Sequence, residues 1–194
     1  MTGKRDARRR LLDATIELIW TGGTAAATPA AIAERSGAGK MSLYRHFAGG
    51  KDELVAEALT EQDPRQRAYV LGPPDLAPRD RILEMFGRQA HAADRAGHRY
   101  RGCPFIRAQL HLECDRHPAA SVIAAHKIVM VSDLTDVLRQ AGLLEPGHTA
   151  RIVLMLFDGA AIHAEIAGNG EPFRLARDLV AGLLIDAGAH RLTR

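Results

Sequence analysis

Aromatic side chains make up only 5% of the 194 residues, and alternating runs of Val, Ile, Thr and Tyr are scarce. Both shortages argue against a β-sheet, whose pleated faces favour β-branched and aromatic residues. No apolar stretch reaches the roughly 20 residues that a membrane-spanning helix needs. The basic start of the chain runs straight into Leu11–Trp20, which still carries Asp13 and Glu17, so the pattern of a secretory leader is missing. There are only two cysteines, Cys103 and Cys114. Eleven residues apart on one helix, they are separated by a rise of about 16 Å, beyond disulfide reach. Free thiols and a cytoplasmic location are the expectation. The sequence also lacks a Cys-x-x-Cys pair, a glycine-rich phosphate loop, a paired-carboxylate motif and any Ser, His, Asp order typical of hydrolases. His111 and Asp115 are spaced for one helix face, but no third ligand sits at tight spacing, so neither a metal nor a cofactor is implied.

What the sequence does have is helical periodicity from end to end, within a composition that is 46% hydrophobic and 25% charged. Leu12, Ile16, Ile19 and Trp20 form an i, i+4, i+7, i+8 stripe, predicting a first helix over about 5–21 that stops at Thr21-Gly22-Gly23. Thr28-Pro29 reads as an N-cap followed by a proline at the first helical position. That short helix ends at Ser36-Gly37, and another spans about Lys40 to Phe47. A fourth covers 51–62, with Leu54, Val55 and Ala58 inward. Residues 63–78, with Pro64, Pro73, Pro74 and Pro78, read as a break. Further helices are expected at 78–96, from Pro104 to about 114, from 118 to 141, at 149–167 and at 172–190, with Glu145-Pro146-Gly147 as a turn. The expected fold class is all-α with about nine helices: a small head over 1–50 and a helical body over 51–194, linked by helix 51–62.

The charge distribution points the same way. Residues 1–50 hold eight basic and four acidic side chains, a balance of +4 in a chain whose total is +3. A basic first quarter on a near-neutral body is the electrostatic footprint of a polyanion-binding head, although a solvated tail gives the same sum. The segment Thr28–Lys51 gives that charge a geometry. It reads as a short helix, a glycine turn and a second short helix. Ile32, Ala33, Leu43 and Phe47 would lock the two against helix one, leaving Lys40, Met41, Ser42, Tyr44, Arg45 and His46 wholly or partly outward. A helix-turn-helix places such a second helix in the major groove. Lys and Arg suit guanine or phosphate, and hydroxyls suit phosphate oxygens.

At these residues the sequence resembles the TetR family of bacterial repressors. The family pattern runs IA-x-x-(A/S)-G, then K-x-(S/T)-L-Y-x-(H/Y)-F, then K-(D/E)-(D/E)-L. Here the matching residues are Ile32-Ala33-Glu34-Arg35-Ser36-Gly37, Lys40-Met41-Ser42-Leu43-Tyr44-Arg45-His46-Phe47 and Lys51-Asp52-Glu53-Leu54. The resemblance implies that Thr28, Ser42, Tyr44 and Lys51 sit on phosphates, that Lys40, Met41 and Arg45 lie nearest the bases, and that Lys4, Arg5, Arg8 and Arg9 form a flexible arm. Gly39 stands where the family usually has a capping Ser or Thr, Met41 where a small residue is usual, and Gly49-Gly50 lengthens the following link by one residue.

The resemblance further implies a homodimer through helices 149–167 and 172–190, binding a near-palindromic double-stranded operator and released by a small-molecule effector. Ile152, Val153, Met155, Leu156 and Phe157 support the dimer independently, since they are more apolar than one buried face needs, and Gly159, Ala160, Ala161 and Ala164 permit close helix approach. Polar or soft residues on otherwise apolar helices are candidates for an effector pocket: Met85, Phe86, Arg107, His111, His126, Met130, Asp158 and His163. Cys103, at a helix start, fits either a reactive thiol or a small buried one. Two other functions fit less of the sequence: an architectural DNA binder that senses nothing, and an enzyme with an incidental basic head.

Overall fold

The computed structural model describes residues 2–112 and 116–189, with side chains at 7–112 and 116–185. Cys114 and Asp115 lie outside the described residues, so neither the cysteine spacing nor the His111–Asp115 pair is placed. Among the described residues there are nine α-helices, one 3₁₀ turn and no strand. The helices are α1 (Thr2–Ala26), α2 (Pro29–Ser36), α3 (Lys40–His46), α4 (Gly50–Leu71), α5 (Pro78–Ala96), α6 (Pro104–Gln109), α7 (Pro118–Gln140), α8 (Pro146–Ala167) and α9 (Glu171–Ala189). Five of them open on a proline, the position where its missing N–H costs nothing and its fixed φ suits the helix. That is why Pro146 begins α8 rather than lying in a turn before it. Within α1, Gly22 and Gly23 leave helical geometry, as the stop at Thr21-Gly22-Gly23 requires.

The largest departure from the sequence reading is α4, which runs on through Pro64 to Leu71 instead of ending at residue 62. A proline inside a helix removes one backbone hydrogen bond and costs about 3 kcal/mol. Continuing the helix buries Gln66, Val70 and Leu71, and burial of this kind outweighs local propensity.

The chain packs as two compact units that no single cut separates. The first comprises the residues up to Arg65 together with Cys103–His126. Its core joins Leu11, Ile19, Ile32, Leu43, Phe47, Leu54 and Leu59 to Phe105, Ala108 and Ile123 from the returning segment. His126 lies in this unit, 4% exposed, stacked on Phe105 with ring centroids 3.7 Å apart, its Nδ1 2.5 Å from Asp63 Oδ1.

The second unit comprises Gln66–Gly102 and the residues from Lys127 onward. Met85, Phe86, Met130, Leu134, Val153, Phe157, Phe173 and Leu184 belong to its core. Phe157 meets Phe86 edge-on at 5.4 Å and Phe173 at a tilt at 5.5 Å, within the usual range of aromatic pair spacings. The buried Tyr100 hydroxyl donates to Gln89 Oε1 at 3.0 Å, so neither polar group is orphaned.

The turn into α9 is tied to α5 by Asp94, whose carboxylate accepts from Arg174 Nη1 and from the Gly170 N–H, both at 2.7 Å. The Arg174 hydrogen bond, helped by the Gly170 N–H, holds the Asp94 carboxyl below its ordinary value. Because folding lowers this pKa, the unfolded chain takes up the proton first as the pH drops. The stabilisation is present above the ordinary carboxylate value and is lost as the pH falls through the lower folded one. Asp94→Asn is therefore expected to lower the urea midpoint at pH 7, with the gap to wild type closing as the pH is lowered below about 4. A gap that stays constant over that range would contradict this role.

Candidate nucleic-acid interface

The first unit builds a helix-turn-helix from local rules. Thr28 adopts extended geometry as the α2 N-cap, and its Oγ1 accepts from the Ala31 N–H at 3.2 Å. Gly37 closes α2 in the left-handed region at φ 62°, with its N–H bonded to Glu34 O. Ser36 then locks the turn, its Oγ accepting from the Ala38 N–H at 3.1 Å. Only glycine takes that φ without strain, and a Cβ at Gly37 would meet nothing within 4 Å. Gly37→Ala is thus expected to cost about 1 kcal/mol through backbone strain alone, and Gly37→Asn clearly less. Thermal melts of the two variants check this, and equal losses would mean packing rather than φ sets the requirement.

Leu43 and Phe47 pin α3 to the core, both 0% exposed. Gly39 caps α3 without a side chain, as its sequence position implies. Around the buried stripe the predicted readers emerge: Met41 is 82% exposed and Tyr44 52%, with Lys40 and Arg45 also exposed. Ser42 and His46 are half-buried, Ser42 accepting from Arg45 Nη2 at 3.4 Å and His46 packing 6.4 Å from the Phe47 ring. Lys51 is half-buried in the first turn of α4, and the nearby Gly49 N–H is bonded to Glu53 Oε2 at 2.6 Å.

The flexible arm expected over Lys4–Arg9 is instead the first turns of α1. The side chains of Lys4 and Arg5 lie outside the described residues. Arg8 pairs with Glu57, reaches Glu61 at 3.3 Å, and sits over the Phe47 ring at 5.4 Å. Arg9 pairs with Asp13 and Glu61, and Arg35 with Glu17. Glu57 and Glu61, one turn apart on α4, offer Arg8 and Arg9 partners that the local sequence does not reveal. The pairing concentrates the remaining charge: Lys40, Arg45 and Lys51 have no acidic partner among the described residues. A rigid short helix therefore presents two unpaired cations, a tyrosine and an apolar methionine to solvent. Ser36 and Arg8 help hold that helix in place through contacts the local sequence does not state: the Ser36 hydroxyl on the Ala38 N–H, and Arg8 between Glu57 and the Phe47 ring.

Residues 11–58 match the family described as bacterial regulatory proteins, tetR family, and residues 77–186 match the tetracyclin repressor-like C-terminal domain. The chain belongs to the TetR family. It is a transcriptional regulator with a DNA-binding domain, and the helix-turn-helix described above lies within the matched segment. No curated protein matches the sequence. Among solved structures, a TetR transcriptional regulator from Streptomyces avermitilis is 29% identical, with a TM-score of 0.77 over 90% of this chain and 98% of that one. A TetR-family regulator from Streptomyces coelicolor is 25% identical, with a TM-score of 0.80 over 94% of this chain and 96% of that one. The fold is also that of the TetR-family regulator CifR, solved as a cysteine mutant complexed with 26-bp operator DNA, at 20% identity and a TM-score of 0.69 over 90% of this chain and 93% of that one.

The eight effector candidates are divided between the two units. Arg107, His111 and His126 belong to the first unit, whereas Met85, Phe86, Met130, Asp158 and His163 belong to the second. His111 instead braces the fold. Its carbonyl accepts from Thr24 Oγ1 at 2.9 Å, its Nδ1 lies 2.8 Å from Arg107 O, and its ring fills the space that a Cβ on Gly23 would need. Met85, Phe86 and Met130 are buried in the second core. Asp158 is paired with Lys127, at 2.7 Å. His163 lines an apolar groove of about 410 Å³ between α8 and α9. Cys103, half-buried, is the N-cap of α6 and is not in a disulfide. Among the described residues no three His, Cys, Asp or Glu side chains are grouped to hold a metal, and no helix is long and apolar enough to cross a membrane.

Proposed function

We propose that this TetR-family protein is a repressor that binds a near-palindromic operator as a homodimer and is released by a small-molecule effector held in its second unit. The observation that carries the DNA reading is the α3 face, where unpaired Lys40 and Arg45 flank Tyr44 and Met41 above a fully buried Leu43 and Phe47. Lys40, Met41 and Arg45 face the bases, and Thr28, Ser42, Tyr44, His46 and Lys51 are assigned to the phosphates and their surroundings.

The dimer reading rests on a second face. Met155, Ile162 and Ile166 on α8, and Leu175, Leu179 and Ile185 on α9, are all exposed, at helical spacings. Gly159 is half-buried and Gly182 exposed, and a Cβ on either would meet nothing within 4 Å. Contiguous exposed apolar side chains around small residues are what an isologous helix interface requires. The protein acts in the cytoplasm on chromosomal DNA and carries out no chemistry of its own.

The switch is tested by reciprocity. A compound that raises the melting temperature is added to the operator complex, and both affinities are measured. If binding is coupled, the compound weakens operator binding by some factor, and the operator weakens compound binding by the same factor. A tightly bound compound that leaves operator affinity unchanged would sink the effector reading and favour a DNA binder that senses nothing.

A further inference from the structure

Away from the α3 face, the second unit has a strongly basic cleft of about 640 Å³ whose lining includes Tyr69, Glu84, Arg88, His91, Arg95 and Arg177. Arg88, His91 and Arg95 recur at i, i+3 and i+7, so they form one stripe along the exposed side of α5, and Arg177 faces them from α9. The guanidinium of Arg88 lies over the Tyr69 ring, 5.0 Å from its centroid, which restrains it at the cleft wall. Some other arginines of this unit meet carboxylates, Arg67 with Asp133 at 2.5 Å and Arg174 with Asp94 at 2.7 Å, and Arg81 and Arg101 bond to backbone carbonyls. Arg88, Arg95 and Arg177 have no carboxylate partner among the described residues, and Glu84 is the single acidic side chain lining the cleft.

Three guanidinium groups converging on one concavity repel one another, and the concave wall focuses their field. That arrangement is relieved by an anion, and the planar guanidinium fork matches phosphate and carboxylate oxygens in particular. Arg88 and Arg95 are separated by a helical rise of roughly 10 Å, so the cationic lining runs along about two turns of α5 and suits an extended anion. The cleft volume falls in the range of small-ligand sites. We propose that this cleft binds a small polyanion, a molecule carrying two or more phosphate or carboxylate groups spread over up to roughly 10 Å, with Arg88, Arg95 and Arg177 as its anchors and Tyr69 and His91 beside them. The site is independent of the α3 face and of the repressor reading.

The test is calorimetric titration of the full chain at near-physiological salt with tripolyphosphate and, separately, citrate. One equivalent of at least one probe binds per chain, and the tighter probe distinguishes a phosphate site from a carboxylate site. Arg88→Ala, Arg95→Ala and Arg177→Ala each weaken that binding roughly tenfold, the effect of losing one charge-assisted contact, and the triple variant abolishes it. Glu84→Gln tightens binding severalfold, a gain that no folding defect can mimic. Lys40→Ala with Arg45→Ala, which empties the α3 face of charge, leaves it unchanged. Failure of both probes to bind, binding that survives the triple substitution, or binding lost with the α3 variant would overturn the proposal.

Discussion

Met155→Glu combined with Leu179→Glu is expected to yield a folded monomer whose affinity for a two-half-site operator falls roughly 10²–10⁴-fold. Both side chains are exposed, Met155 at 66% and Leu179 at 56%, so the substitutions take nothing out of the core. In an isologous interface each new carboxylate appears twice, desolvated and facing like charge, which costs several kcal/mol. The loss at the operator follows because two linked heads bind with an effective concentration that single heads lack. Sedimentation gives the oligomeric state, and fluorescence anisotropy on operator DNA gives the affinity. A variant that remains a dimer would move the interface away from α8 and α9. A monomer that binds as tightly as wild type would remove the need for two heads.

The second large effect is expected at Gly170. A Cβ there would lie 2.2 Å from the Ala90 carbonyl oxygen and 2.6 Å from its carbon, both backbone atoms that cannot swing aside. Gly170→Ala therefore forces α9 away from α5 and is expected to cost about 3 kcal/mol, the upper end of what overpacking usually costs. For a chain of this size that lowers the melting temperature by roughly 6–12 °C. Gly87→Ala is the control. It sits inside α5, and its Cβ would meet only Glu84 Oε2, at 3.6 Å. Its stability should be unchanged or raised by up to ~1 kcal/mol, the helical preference for alanine over glycine. Equal behaviour of the two variants would mean that the α5–α9 approach is looser than the Ala90 contact implies.

Much of the head is legible in the sequence because its signals are local. Thr28-Pro29 states a cap, Ser36-Gly37 states a turn, and the spacing of Leu43 and Phe47 states which side of α3 is buried. The features that escaped are those settled by distant partners. Arg8 and Arg9 read as a free arm until Glu57 and Glu61 are placed beside them. Pro64 reads as a stop until the burial of Gln66, Val70 and Leu71 is counted. Nothing near residue 105 announces that Phe105 and Ala108 belong to the core built by Leu11 and Ile32. On α9, Phe173 and Leu184 are buried while Leu175 and Leu179 are exposed, a split that hydrophobicity alone cannot make. The basic cleft is half legible: Arg88, His91 and Arg95 follow helical spacing, but Tyr69 and Arg177 reach it from other elements.

The most direct measurement is selection of random DNA fragments on the purified protein at near-physiological salt, followed by sequencing of what is retained. A DNA-reading α3 paired across a dimer predicts one near-palindromic site with half-sites a helical turn apart, about 10 bp, whose enrichment disappears with Tyr44→Ala or Lys40→Ala. Diffuse retention without a shared site, fading as salt rises and indifferent to those substitutions, would reduce the interaction to backbone electrostatics and contradict sequence-specific regulation by this chain.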